Sequence, residues 1–432
     1  MHDSVEDASR AGASQAKADN RLRVLFINDT SRNGGPGRTI LYILKFLDPA
    51  RIRRSVMIPR EGIVSERIIR AGAAEDLFFE PGLIENPYEP LTRPMQRRDF
   101  DAALPLKALR CAGNVVRATA GVFRLLRRVR KERYDAIFCN GTAAGFLGGA
   151  LAAFSGTPAI WHVLYPSVAP VIRPIHRMLA ANKNVRRIIC VSRPTAPQFD
   201  HCRHKVRAVQ TALDVDEFDV RRITPVLRRE LGIDGGTVIF GSHGRILPRK
   251  GFIELIQAAR IVIDRLNADD RARCRFIILG DTPQDLHPDH LEECRSLVRK
   301  LDLGEYVKFV GFRADVISCV ADFDVAVVPS VYDDPLPRAV MEAMAMSKPV
   351  AAFAMGGIGE MIEDGVEGRL VSGRPPDIAG LAQVCLEYFH DAARRRQHGE
   401  AARRRVERDF NARVHALKLQ EALFEVAAEA RL

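Results

Sequence analysis

The sequence predicts an α/β chain made of two Rossmann-like, doubly wound domains in tandem. Three observations predict it. Short apolar runs alternate with longer segments of helical period along most of the chain, the pattern of parallel strands covered on both faces. The alternation runs through one series and begins again after a charged stretch at residues 221–230. Each series opens on a strand that ends in a glycine-bearing loop and leads into a helix, where α/β sheets bind ligands. At 432 residues, an allowance of roughly 150 residues per domain gives two or three domains, each able to bury its own core.

Taken in order, residues 23–28 (RVLFIN) are a short buried strand, residues 29–38 a polar glycine-rich turn, and residues 39–47 the helix that follows. Further strands are expected at 55–58, 136–139, 159–162 and 187–191. The second series begins at 237–241 and continues at 276–280, 307–310, 325–329 and 349–353. The join falls near Ala212-Leu213-Asp214-Val215-Asp216, so residues 21–213 and 214–402 are the expected domains. A last helix, roughly 403–432 with Arg403 to Arg405 at its head, is expected to pack back toward the first domain.

Composition excludes several classes. The apolar content of 47% and charged content of 28% are those of an ordinary soluble protein. The longest weakly polar run, residues 143–156, is shorter than the roughly 20 residues that span a bilayer. Residues 1–20 carry Asp3, Glu6, Asp7 and Asp19 among Ala, Ser and Gly; they read as a disordered tail rather than a secretory signal. Eight cysteines, at 111, 139, 190, 202, 274, 294, 319 and 385, form no CxxC pair, which favours reduced thiols and a cytoplasmic setting. The histidine pairs His201/His204 and His287/His290 lack further ligands, and no metal is expected.

The net charge of +11 is unevenly placed. Arg110, Arg117, Arg124 and Lys131 recur every seven residues, while Val115, Val122, Leu126 and Val129 mark another side, so residues 106–133 read as an amphipathic helix with a basic stripe. Such a stripe suits either solvent or an anionic membrane surface, where each cation contributes on the order of 1 kcal/mol. Basic runs without interleaved aromatics, and no reading motif, argue against nucleic acid.

The chemistry concentrates in four elements of the second half. Gly244-Arg245 follows the first strand of that series, and Lys250-Gly251 opens the next helix. A forked guanidinium and a point ammonium complement each other on a phosphate. Asp334-Pro335-Leu336-Pro337-Arg338 then leads into a helix carrying Glu342, the prolines forcing Asp334 onto the loop. The helix start at Leu336 and Arg338 offers free N–H groups and a positive dipole to an anion. Finally, Gly356-Gly357-Ile358-Gly359-Glu360 follows a strand, where glycine lets backbone approach a ligand.

In this order the four elements resemble the nucleotide-sugar half of the retaining GT-B glycosyltransferases of group 1, often called family 4. The resemblance spans residues 21–430 and is strongest over 237–370. It implies a GT-B architecture, two Rossmann-like domains facing a central cleft, and transfer of a hexose from a nucleoside diphosphate sugar to a glycan or lipid-linked acceptor. Arg245 and Lys250 would neutralise the departing diphosphate, Glu342 would accept from ribose hydroxyls, and Asp334 from the donor sugar. Gly244, Gly356, Gly357 and Glu360 would line the donor site. In the first half, Asn33-Gly34-Gly35-Pro36-Gly37-Arg38 looks like the family's glycine loop, and its spacing is neither GxGxxG nor a P-loop. His162 matches the histidine that approaches the transferred sugar, and Ser192 ends a strand lining the cleft. Asp334 to Pro337 departs from the usual Glu-Gly-Phe-Gly, and Thr211-Ala212-Leu213-Asp214 from Asn-Gly-Val-Asp. Two other readings share the architecture: a nucleotide-sugar epimerase and a non-catalytic donor-binding subunit.

Overall fold

The structure, a computed structural model, describes residues 19–31, 34–81, 103–282 and 289–431. Residues 1–18, Asn33 and His287, and the side chains of Arg110, Cys111 and Val115, lie outside that set. Two all-parallel sheets organise the rest. The first joins β1 (Leu22–Asn28), β2 (Ile52–Ile58), β3 (Asp76–Phe79), β4 (Ala136–Asn140), β5 (Ala159–Val163), β6 (Val185–Cys190) and β7 (Val206–Ala208) in the order β3-β2-β1-β4-β5-β6-β7. The second joins β8 (Val238–His243), β9 (Cys274–Leu279), β10 (Val307–Phe309), β11 (Val325–Val328), β12 (Val350–Phe353) and β13 (Gly368–Val371) in the order β10-β9-β8-β11-β12-β13. Both orders reverse once, between β1 and β4 and between β8 and β11.

Alternation along each strand feeds two cores. In β1, Val24 and Phe26 pack with Ile40, Ile43 and Leu44 of the helix Gly35–Phe46, while Leu25 and Ile27 pack with Leu125 and Val129 of the helix Ala103–Glu132. β8 divides likewise, Phe240 toward Leu255 and Ile256, and Ile239 toward Val340 and Met344. Strands buried on both faces read as near-continuous apolar runs, and this made them recognisable.

The three strands that sequence did not anticipate, β3, β7 and β13, are all sheet edges. An edge strand has one neighbour and partial exposure, so DLFF, VRA and GRLV carry polar residues and show no apolar run. The first helix also starts earlier than expected, at Gly35 with Pro36 in its first turn, where a missing N–H costs nothing.

The last expected helix is corrected. Arg403 to Arg405 lie inside a helix Ala392–Asp409, which stops at Phe410; Asn411 caps a second helix, Ala412–Glu429, by accepting from the Arg413 N–H at 2.9 Å. The chain therefore crosses between the domains twice, side by side. Leu213 N–H donates to Phe410 C=O at 3.0 Å, and Ala412 N–H to Leu213 C=O at 2.8 Å. Beyond the crossing, Leu419, Leu423 and Val426 pack with the helix Gly35–Phe46 and complete the core beneath β4, β5 and β6 of the first domain.

The long helix Ala103–Glu132 buries Leu125, Leu126 and Val129. Its basic stripe is partly engaged: Arg124 pairs with the buried Glu80 at 2.5 Å, and Arg128 pairs with Asp76 while lying 3.7 Å over the Phe78 ring. Arg117 and Lys131 remain exposed. Among the described residues no helix is long and apolar enough to cross a membrane.

Leu423→Ala should cost about 2–5 kcal/mol, the range for emptying a buried leucine site. Hydrogen exchange should then quicken in β4, β5 and β6 and stay unchanged in β8 and β9, although residue 423 lies after both sheets in sequence.

Candidate functional site

The two switch points, where strand order reverses, open crevices at the carboxyl ends of β1/β4 and β8/β11. In the second domain β8 ends on His243, and Gly244 turns away with φ of 146°. A Cβ at Gly244 would meet nothing within 4 Å, whereas one at Gly280 would sit 1.8 Å from the Gly244 carbonyl oxygen. The loop thus leans on Gly280 and turns its free side to open space. Arg245 comes next, exposed and without a carboxylate partner among the described residues.

Lys250 ends a short turn, Pro248–Lys250, and Gly251 follows with φ of 75° and no room for a Cβ, 1.7 Å from the Pro329 carbonyl oxygen. That close approach ties the helix Phe252–Arg265 to the loop after β11 and carries Lys250 to Asp334, Nζ to Oδ2 at 2.5 Å. The Tyr332 ring lies 5.3 Å from the same ammonium and 5.0 Å from Arg249. Burial pushes the Tyr332 phenol up, and the nearby Asp334 carboxylate adds to this.

Glu342, on the helix Arg338–Ala345, is the most heavily engaged carboxylate of the cleft. It accepts from His243 Nε2 at 3.0 Å and from Arg338 Nη2 at 3.1 Å, with Arg38 Nη1 of the first domain at 3.8 Å. Burial pushes its carboxyl up, but the Arg338 charge and the His243 bond outweigh it and hold the group at about 2. Arg338 lies 5.5 Å over the Tyr42 ring, and its Nη1 is buried without a partner. Leu336, just before the helix, is buried in the core.

Gly356 and Gly357 are pressed against the turn that holds Asp334: a Cβ at Gly357 would sit 1.8 Å from the Pro335 carbonyl oxygen, and Gly357 N–H donates to Asp334 C=O at 2.8 Å. Their glycine character serves this packing. Glu360 points across the joint, accepting from the Arg193 N–H at 2.7 Å and from Gln210 at 3.1 Å. It lines a cavity of about 240 Å³ at the joint together with Arg193, His415 and Lys418, apart from the Lys250–Asp334 pair.

From the first domain, Gly35 approaches the Arg338 side chain: a Cβ there would be 3.6 Å from Arg338 Cδ, and one at Gly34 would touch only Pro36. Arg38, Tyr42 and Lys45, at i, i+4 and i+7 on one helix, all reach over. Tyr42 donates to Glu217 at 2.6 Å, and Lys45 pairs with Asp214 at 2.5 Å. His162 is wholly buried under the glycine loop. Asn140 Nδ2 donates to Asn28 Oδ1 at 2.7 Å and to the Pro36 carbonyl at 3.1 Å, so its oxygen faces His162 Nδ1 at 2.9 Å. Nδ1 must then carry the proton, leaving Nε2 as an acceptor without a partner. Burial, then the His415 ring 5.9 Å away, holds His162 far below its ordinary value, as a neutral imidazole. Ser192 Oγ is likewise buried without a partner.

The structure therefore gathers Lys250, Asp334, Arg338, Glu342, Gly244, Gly356, Gly357, Gly34 and Gly35 along one cleft, with Arg245 at its rim, His162 beneath it and Glu360 behind it. Sequence reasoning missed Arg38, Tyr42, His243, Asn28 and Asn140 as site residues. The signals were present: three polar residues on one helical face, and polar residues closing strands that flank a switch point. Among the described residues no group of three or more His, Cys, Asp or Glu could hold a metal ion.

Comparison with known proteins adds a family. The model of the glycosyl transferases group 1 family matches residues 224–405. The chain is 29% identical over 239 residues to 2-deoxystreptamine N-acetyl-D-glucosaminyltransferase of Streptomyces fradiae, covering 52% of this chain and 54% of that one. It is 21% identical over 272 residues to UDP-Gal:alpha-D-GlcNAc-diphosphoundecaprenol alpha-1,3-galactosyltransferase of Escherichia coli, covering 60% and 67%. The crystal structure of Anabaena Alr3699/HepE in complex with UDP is similar in fold, with a TM-score of 0.73 at 21% identity over 94% of this chain and all of that one. The chain thus spans about half to two thirds of the length of these curated relatives. With two Rossmann-like domains and this likeness in fold, the chain has the GT-B architecture, and its second domain matches the glycosyl transferases group 1 family over residues 224–405.

Proposed function

We propose that this protein is a retaining glycosyltransferase that moves a hexose from a nucleoside diphosphate sugar to a glycan or lipid-linked acceptor. The observation that carries the reading is that the loop leaving β8 brings both Arg245 and Lys250 within electrostatic reach of Tyr332, beside Asp334. A diphosphate leaving group gains negative charge as the glycosidic bond breaks, and cations already in place stabilise that charge without reorganisation. A diphosphate entering here replaces Asp334 as the partner of Lys250, which frees the carboxylate for sugar hydroxyls. Glu342, held ionised by Arg338 and His243, keeps an acceptor ready for the ribose. The UDP complex of the structural neighbour and the donor in the Escherichia coli relative's name support a nucleotide-sugar donor. That relative's diphosphoundecaprenol acceptor supports a lipid-linked one.

What the cleft offers as a nucleophile supports retention. With donor bound, Asp334 is taken up by sugar hydroxyls, and Glu342 stays paired with Arg338 and His243, so neither carboxylate is left to attack the anomeric carbon. This favours attack by the acceptor hydroxyl from the face the diphosphate leaves, with a departing phosphate oxygen taking the hydroxyl proton. The chain then contributes positioning, charge neutralisation and exclusion of water. No metal or other cofactor enters this mechanism; the donor is a substrate.

The direct test is calorimetric screening of nucleoside diphosphate sugars, followed by product analysis of anomeric configuration; an inverted product would refute retention. Arg245→Ala and Lys250→Ala should each lower turnover at least about tenfold with the fold intact, because each removes charge stabilisation from the leaving group. Unchanged rates in both would sink the assignment. Glu342 has a depressed folded value, so its stabilising contribution is complete above about 4.5 and is lost as the pH falls toward about 2. Thermal unfolding of Glu342→Gln should accordingly lie below wild type at pH 7, and the gap should close between pH 4.5 and 2.

A further inference from the structure

We infer that the first domain docks on an anionic bilayer through the segment that leaves β5, namely Tyr165, Val171, Ile175 and Met178 with Arg173 and Arg177. This deepens the lipid-linked-acceptor reading and rests on it. The helix Arg173–Ala181 is built the wrong way round for a solvated surface. It buries His176 and Ala180 against the domain and turns Ile175 and Met178, 52% and 65% exposed, outward. Val171, one turn earlier, is 89% exposed, and Tyr165 is 43% exposed. Single exposed apolar residues are ordinary, but four within one short segment form a patch that favours a nonaqueous partner.

Charge selects the partner. Between Asp135 and Asp200 the sequence contains no Asp or Glu, while Arg173, Arg177, Lys183, Arg186, Arg187 and Arg193 all fall in that interval. Arg173, Arg177 and Lys183 are exposed, and no carboxylate pairs with them among the described residues. Asp200, where the acid-free interval ends, is engaged with Arg203 at 2.9 Å. An apolar stripe flanked by unneutralised cations is what an acyl-chain boundary with anionic headgroups complements. A second copy of the chain would bring the same cations against themselves.

Position links the patch to the chemistry. β5 ends at the cleft edge next to His162, and Leu164 packs against the core shared with the second domain. The patch therefore begins at the cleft rim, where a membrane-borne acceptor would present its reacting end. The adjoining helix Ala103–Glu132 adds exposed Val116, Phe123 and Arg117 but spends Arg124 on Glu80.

The test is cosedimentation of the full chain with phosphatidylcholine vesicles and with vesicles containing phosphatidylglycerol, without donor or acceptor. Failure here is then separable from failure of the transferase reading, which donor calorimetry decides. Wild type should partition to the anionic vesicles, and V171S/I175S/M178S or R173Q/R177Q should each lower that partition about tenfold, with unfolding temperature and donor affinity unchanged. Absence of wild-type binding, or binding indifferent to both variants, overturns the proposal. So does a sedimentation-equilibrium result in which the apolar triple variant converts a dimer to a monomer while vesicle binding stays the same.

Discussion

The Arg338–Glu342 pair is the interaction on which the cleft depends. Both groups are withdrawn from water, and a buried charge is tolerated only with a partner and satisfied bonds. Removing one member strands the other at a cost of about 3–5 kcal/mol. The pair is not closed on itself: His243 completes it from the end of β8, and Arg38 and the Tyr42 ring complete it from the other domain. One electrostatic requirement therefore sets the helix Arg338–Ala345, the end of the first strand of its domain, and the facing helix of the neighbouring domain. The core containing Tyr42, Val191, Leu213 and Val340 continues beneath it across the joint.

A second constraint is steric. Gly251, Gly280 and Gly357 each have a backbone oxygen where a side chain would begin, at 1.7, 1.8 and 1.8 Å. These contacts draw the loops after β8, β9, β11 and β12 into one floor, on which Lys250 meets Asp334. The charges could not be held at this separation if any of these loops stood a methyl group further out. The same logic appears in the first domain, where Asn140 joins β1, β5 and the glycine loop through three hydrogen bonds and thereby decides which nitrogen of His162 is bare.

How much of this was legible in the sequence follows from burial. Strands buried on both faces announce themselves as apolar runs, and ten of the thirteen among the described residues were placed; β3, β7 and β13, three of the four edges, are short, partly exposed and mixed in polarity, whereas the edge β10 was placed. The break at Phe410–Asn411 was missed because helical period continues through it, and only the capping asparagine marks it. Lys250, Asp334 and Glu342 could be selected because prolines and glycines beside them restrict the backbone. Arg38 and His243 were within quoted motifs yet unassigned, since their partner Glu342 lies some hundred to three hundred residues away in sequence and chain spacing carries no trace of that contact. Asn28 and Asn140 are marked in sequence as polar residues closing apolar strands, but their contact with each other spans 112 residues and is not.

The paired crossing at Leu213 and Asn411 makes the second domain, in topological terms, an insertion within the first. The helix Ala412–Glu429 follows the whole of the second domain in sequence, yet it packs on the helix Gly35–Phe46 and closes the core beneath β4, β5 and β6. The first domain therefore completes its core only by recruiting a helix from the far side of an inserted domain, a contact of high sequence separation whose loop-closure cost the second domain does not bear.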